Sequence, residues 1–186
     1  NDADSKLLLN SITVDSVSTS LASLGLDVDA DSTVTSLTVA HTTPVSIASG
    51  KTLSGGITVT AGSIKLGEAG TLGSTVSMSG GTLDADETLT VSGALSHTAD
   101  ITIDVASGKT LTYSGTAISL GAYTLTLSGG GNLVSGGLTL NDADSKLLLN
   151  SITVDSVSTS ANNSGLDVDD DSTVSSLTVA HTTPVS

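Results

Sequence analysis

Clusters of aspartate recur along the chain at spacings that suit a hard metal ion. Asp27, Asp29 and Asp31 fall within five residues, and on a strand the spacing of two would put the carboxylates of Asp27 and Asp29 on one face. Carboxylates stacked on neighbouring strands repel, and Ca²⁺, which takes about six to eight oxygen ligands, would relieve that repulsion. The clusters therefore predict calcium as a possible cofactor, held at Asp2, Asp4, Asp27, Asp29, Asp31, Asp84, Asp86, Asp142, Asp144, Asp167, Asp169 and Asp171.

The same clusters depart from the loop-type calcium consensus. Ser32 follows Asp31 where the consensus has glycine, and Thr38 stands where it has a bidentate glutamate. The glycine-rich nonapeptide of calcium-binding solenoids is missing as well. The alternative interpretation is that these carboxylates occupy solvated corners and keep the protein soluble.

Threonine pairs separated by one residue suggest a second surface chemistry. On a stacked sheet they would form parallel files of hydroxyl groups on a flat face, as in ice-binding solenoids. Threonine is also a favourable strand residue that pairs with itself across neighbouring strands, and Gly73 interrupts the files. The candidates for an ice-binding face are Thr33, Thr35, Thr52, Thr88, Thr90, Thr110, Thr112, Thr124 and Thr126.

Few groups in the sequence are suited to catalysis. Lys51 and Lys109 stand in Gly-Lys-Thr phrases, but a phosphate loop needs a glycine where this chain has Val45 and Ile103. Arginine is missing and only two aromatic residues occur, so a sugar-cleaving site would lack its basic partner and its aromatic platform. We predict that the chain is not an enzyme.

Charge and the length of apolar runs each argue against one class of partner. The chain has 19 acidic residues, five lysines and a net charge of −14, so its surface repels phosphate backbones. No apolar run is long enough to span a bilayer. We therefore expect neither nucleic-acid binding nor membrane insertion of this segment.

The chain repeats itself over a long period. Residues 1–20 and 141–160 are identical, and residues 25–46 return as 165–186 with Ala30 and Thr35 replaced by Asp170 and Ser175. Residues 1–186 are predicted to form one continuous solenoid, with 1–140 as the first long repeat and 141–186 as the start of the second. Residues 140 positions apart should share one backbone conformation. The altered segments 21–24 and 161–164 should be outward loops.

A shorter period predicts the fold. Turn-like segments leading into threonine and an aliphatic residue recur about every 20 residues, seven times per long repeat, with aliphatic and small polar residues alternating between them. We predict an all-β parallel β-helix with a thin core, because Phe and Trp are missing. One inward file should contain Val34, Leu53, Leu72, Leu89, Leu111, Leu125 and Leu147.

Several phrases carry a family resemblance: residues 79–83 (SGGTL), 48–53 and 106–111 (ASGKTL), and 89–93 (LTVSG). They resemble the coils of long repetitive bacterial surface proteins, including autotransporter passengers and filamentous adhesins. The resemblance implies a right-handed parallel β-helix on an extracellular or cell-surface filament. The expected function is that of a structural fibre segment whose partner is itself, through stacking of coil on coil. The alternative is an adhesin stalk that presents a binding tip located outside this segment.

Overall fold

A computed structural model describes residues 5–19, 25–162 and 164–180. These residues form strands and turns without any helix. The strands are β1 (Lys6–Leu9), β2 (Thr13–Thr19), β3 (Gly25–Val28), β4 (Ser32–Val39), β5 (Thr43–Ile47), β6 (Thr52–Val59), β7 (Ser63–Gly67), β8 (Thr71–Leu72), β9 (Thr75–Met78), β10 (Thr82–Ala85), β11 (Leu89–Val91), β12 (Leu95–His97), β13 (Ile101–Val105), β14 (Thr110–Tyr113), β15 (Ile118–Ser119), β16 (Thr124–Ser128), β17 (Asn132–Val134), β18 (Leu138–Leu140), β19 (Lys146–Asn150), β20 (Thr153–Thr159), β21 (Gly165–Asp169) and β22 (Thr173–Val179).

The strands build two parallel sheets that wind into a β-solenoid. Sheet A has the order β1-β3-β5-β7-β10-β13-β16-β19-β21, and the other thirteen described strands form sheet B. We call one turn of the chain through both sheets a coil, and residues paired at one position of successive coils a file. Paired residues of sheet A are 19 to 24 positions apart, as in Lys6 with Gly25 and Ile101 with Leu125. The predicted parallel β-helix with coils of about 20 residues is confirmed.

Aliphatic side chains on alternate strand positions fill the space between the sheets. In β13, Ile101, Ile103 and Val105 are buried while the intervening Thr102 and Asp104 are partly exposed. One inward file of sheet A runs through Ile64, Leu83, Ile103, Leu127 and Leu149. Burial of each such side chain stabilises the fold by about 1.5 to 3 kcal/mol. The core is therefore mainly aliphatic, with Tyr113 as its one buried aromatic ring among the described residues.

The prediction of one inward file is half right. All seven aliphatic residues are buried, at 5 % exposure or less. They do not share a file, because Leu125 and Leu147 pair in sheet A, whereas the others lie in sheet B, where Leu53 pairs with Leu72 and Leu89 pairs with Leu111. Corner segments of unequal length shift the phase of each coil, so similar phrases reach different positions.

The two copies of the repeat fold alike locally. Lys6 pairs with Gly25 as Lys146 pairs with Gly165, and strands β2 and β4 have the same register as β20 and β22. Ser11 and Ser151 both have φ of 53°. Among the non-glycine residues described, Asp170 has positive φ while its counterpart Ala30 does not, so the backbones differ at that replaced position. The altered segment 21–24 lies outside the described residues. In its counterpart 161–164, Asn162 is exposed but Ser164 is fully buried, so that segment is not wholly an outward loop.

The position of equivalent residues on the sheet drifts from one repeat to the next. Leu26 belongs to the file that ends at Val105 of β13. Its copy Leu166 belongs to the file that begins at Ile101, four residues earlier in the same strand. The seven coils of one long repeat thus return to the same local structure, displaced by four residues along sheet A.

Candidate functional site

The predicted calcium residues Asp84 and Asp86 share a lysine. The Lys65 Nζ atom on the preceding coil lies 3.2 Å from Asp84 Oδ2 and 2.8 Å from Asp86 Oδ2. Hydrogen bonds to Asp86 and Asp84 raise the pKa of Lys65 above its usual value. The pKa of Asp84 is also raised, because the cost of desolvating its carboxylate exceeds the stabilisation by Lys65. Asp104, the next residue of the same file, adds repulsion.

Within the acidic triplet, Asp29 lies in the bend that follows strand β3, and Asp27 and Asp31 have two different protein partners. Lys6 Nζ lies 3.1 Å from Asp27 Oδ2. The backbone N–H of Thr52, on the following coil, donates to Asp31 Oδ1 at 2.8 Å. These carboxylates therefore hold coils together by pairing with a neighbouring lysine and by capping a strand.

The remaining acidic candidates lie in the second long repeat or outside the described residues. Asp142 Oδ1 accepts a hydrogen bond from the backbone N–H of Asp144 at 3.0 Å, which closes a local turn. Asp167 and Asp169 belong to β21, Asp171 follows that strand, and Asp2 and Asp4 lie outside the described residues. Over residues 5–19, 25–162 and 164–180, no three acidic or histidine side chains are grouped to hold a metal ion. Calcium binding stays a prediction.

The threonine candidates form short files on sheet B. Thr52, Thr90 and Thr112 share one outward file with Thr71. The residues two positions earlier, Thr88 and Thr110, begin a neighbouring file that continues through Asn132, Thr153 and Thr173. Within these files, as far as the structure describes them, Thr-x-Thr units stand side by side only on the two coils of β11 and β14. The hydroxyl lattice is therefore two coils wide.

The other threonine candidates lie elsewhere. Thr124 and Thr126 belong to β16 of sheet A, on the opposite side of the solenoid. Thr33 pairs with Thr13 and Ser54, and Thr35 stands where the register between β4 and β6 shifts. The structure thus divides the nine candidates between two faces. Because the nine candidates do not form one continuous face, ice binding stays a prediction.

A break in sheet B was not predicted from the sequence. Strand β12 pairs with β9, and β15 pairs with β18, but β12 and β15 do not form a ladder with each other. At this break the buried ring of Tyr113 places its hydroxyl 3.0 Å from the backbone nitrogen of Leu95, which donates to it. Gly115 packs so closely that an added Cβ would lie 2.3 Å from the Tyr113 hydroxyl oxygen. The signal in the sequence was a lone tyrosine at an inward position.

The two ends of the described solenoid expose apolar side chains. We call the coil of β1 and β2 the N-terminal face and the coil of β21 and β22 the C-terminal face. Leu7 and Ile12 are exposed at the first, and Leu177 and Val179 at the second. A hollow at the N-terminal face reaches inward to Leu26. Of the large apolar side chains that the structure describes as exposed, only Val134 lies away from these two coils.

The comparisons with known proteins add no family. Neither a protein-family model, nor a curated protein, nor a solved structure matches this chain. No helix that could cross a bilayer is found in the part of the chain that the structure describes.

Proposed function

We propose that this chain is a structural segment of an extracellular or cell-surface filament, continued along its axis by further coils. The observation that carries this proposal is the junction between the two long repeats. Strand β16 of the first repeat pairs with β19 of the second, Leu125 on Leu147 and Leu127 on Leu149. Strands β17 and β18 likewise both pair with β20. The parallel strand pairing therefore continues across the junction between the two repeats as it does between the coils of one repeat.

The chemistry of the surface supports a passive, hydrated rod. Outward positions carry threonine, serine and aspartate, and the four ion pairs of the described residues join neighbouring coils. The net charge of −14 keeps parallel rods apart in solution. A rod of this kind also suits the alternative function, an adhesin stalk.

A series of tandem chains tests this proposal. Chains with one, two or three long repeats should form single rods whose length increases by about 34 Å per repeat, since seven coils stack at about 4.8 Å each. Small-angle scattering measures the maximum dimension and the cross-section together. A constant cross-section with linear growth supports the filament. Repeats that scatter as separate beads, or a rod that thickens, would overturn it.

A further inference from the structure

A file of hydroxyl groups follows the second half of sheet B along the solenoid. On β6, Thr58 is exposed between the buried Ile57 and Val59, and on β18 Thr139 has the same position between two buried leucines. The strand register joins such residues from coil to coil, with one interruption where β12 and β15 do not pair. The file contains Ser18, Thr38, Thr58, Ser77 and Ser96 before the break, and Ser119, Thr139, Ser158 and Thr178 after it.

The files on either side of it contain small residues. Two positions earlier on the strands, Ser16 pairs with Ser36 and Gly56 pairs with Thr75. Two positions later, Ser79 and Thr98 line a groove together with Thr58, Ser77 and Ser96. We call the outward surface of the hydroxyl file and of the residues two positions before and after its members the hydroxyl face. It is a surface of short side chains with a groove between its files.

Charge is distributed unequally between the faces of the solenoid. In sheet A, seven of the nine strands contain Asp or Lys, namely β1, β3, β7, β10, β13, β19 and β21. Of the nine strands that carry the hydroxyl file, only β2 and β20 contain an acidic residue, Asp15 and Asp155, and none contains lysine. His97 of β12 pairs with the buried Met78 in an inward file. The charge of −14 is therefore concentrated away from the hydroxyl face.

The hydroxyl face is complementary to itself. A hydroxyl group both donates and accepts hydrogen bonds, so two such faces offer each other donors and acceptors alike. The hydroxyls already pair along the file, with Ser96 Oγ donating to Ser77 Oγ at 3.4 Å and Thr139 Oγ1 lying 3.3 Å from Ser158 Oγ. Two copies that met through sheet A would bring like charges together. A second copy of this chain is therefore the partner that fits the hydroxyl face.

The area of the face is sufficient for a specific contact. Seven coils at about 4.8 Å and five residue positions at about 3.3 Å give about 550 Å² for each molecule, or about 1,100 Å² for a pair. A specific interface needs about 1,000 Å² in total, so one long repeat reaches the lower limit. Each further repeat adds the same area, and association should strengthen with the number of repeats.

We propose that two copies of this chain associate side by side through their hydroxyl faces. This rests on the proposed filament function and adds the lateral contact by which two filaments pair. Because both molecules use the same surface, the contact closes at a pair and does not build a larger bundle. Repulsion between molecules of charge −14 opposes the contact, so pairing should strengthen as salt shortens the Debye length.

One added charge, placed on or off the face, tests the pairing. Thr58→Asp puts a carboxylate on the hydroxyl face, and Thr112→Asp puts the same charge on the partly exposed outer side of β14, outside that face. At high salt, the unmodified chain and Thr112→Asp should form dimers in sedimentation velocity. In small-angle scattering these dimers should have twice the mass per unit length and an unchanged length. Thr58→Asp should dimerise at least about tenfold more weakly, because pairing would bury an unpaired carboxylate.

A spin label provides a second measurement that does not depend on an added charge. The chain contains no cysteine, so Thr58→Cys and Thr112→Cys each give a single attachment site. A nitroxide at position 58 should lose mobility when salt is raised, because the partner covers it. A nitroxide at position 112 should stay as mobile as before.

The pairing is wrong if Thr58→Asp dimerises as well as Thr112→Asp, if the two labels respond alike, or if the unmodified chain stays single at high salt and high concentration. A single chain whose inhibition of ice growth or binding to an insoluble polysaccharide is lost in Thr58→Asp would also overturn the pairing and would assign the face to that partner. The filament proposal is tested separately with the tandem chains at low salt, where charge keeps the rods single, so it survives each of these results.

Discussion

The hydroxyl of Tyr113 accepts a hydrogen bond from the backbone N–H of Leu95 at 3.0 Å, in place of the strand that would otherwise cover it. The ladder of sheet B is broken at this point, between β12 and β15. A side chain therefore replaces a backbone partner in the interior of the solenoid.

Tyr113→Phe should lower the free energy of unfolding by about 1 to 2 kcal/mol, because the Leu95 N–H loses its acceptor. Urea denaturation measures the loss, and amide exchange at Leu95 should become faster. Tyr123→Phe is the matched control. The Tyr123 ring contacts His97, and its change should cost less than about 0.5 kcal/mol. Equal effects of the two changes would refute the role of the Tyr113 hydroxyl.

Leu147→Ala and Leu7→Ala make the same change in two identical segments. The buried Leu147 should lose about 2 to 5 kcal/mol of stability, since a cavity opens between coils. The half-exposed Leu7 should lose less than about 1 kcal/mol in monomeric protein. Thermal or urea unfolding under low-salt conditions compares them. Similar losses would mean that the N-terminal face is covered in solution.

Gly55 and Gly50 both have positive φ but differ in their surroundings. An added Cβ at Gly55 would lie 1.8 Å from the carbonyl oxygen of Val34, whereas Gly50 has open space around it. Gly50→Ala should cost about 1 kcal/mol for the left-handed conformation. Gly55→Ala should cost about 1 to 3 kcal/mol more, because β4 and β6 must separate. Chemical denaturation measures the free energy of unfolding of both variants. Equal losses would contradict the predicted clash at Gly55.

Lys65→Met should destabilise the protein in a pH-dependent manner. Below about pH 3.8, the ordinary pKa of Asp84, its carboxyl group is protonated and the variant should match the parent. As pH rises through the raised pKa of Asp84, that carboxylate becomes charged without its cation, and a difference of about 0.2 to 1 kcal/mol should develop. Above pH 10.5 the difference should disappear again as Lys65 deprotonates through its own raised pKa.

Unfolding free energies measured across this pH range give the result. Lys51→Met removes the same charge from another coil and is the control, since Lys51 belongs to none of the four ion pairs of the described residues. A difference that is independent of pH, or one shared by Lys51→Met, would contradict the assignment.

Much of the candidate site could not be predicted from the sequence. The spacing of Asp27, Asp29 and Asp31 suggested a shared strand and a common ligand, but only Asp27 lies on a strand, and Asp29 and Asp31 follow β3. The structure gives Asp27 to Lys6 and Asp31 to the Thr52 N–H instead. The threonine phrases were visible, yet Thr124 and Thr90 lie on opposite sheets. Contacts of this kind depend on which residues meet across coils about 20 positions apart.

The sequence by itself determined the repeat, the strands and the inward positions. Side chains alternate with a period of two along any strand, so the burial of Leu53 and Leu111 follows from the local alternation of aliphatic and polar residues. The tertiary structure decided the files, the four-residue drift between Leu26 and Leu166, and the break that Tyr113 fills. Each depends on the length and path of the corner segments between strands. Corners of unequal length displace the register of the next strand, and these displacements accumulate from coil to coil.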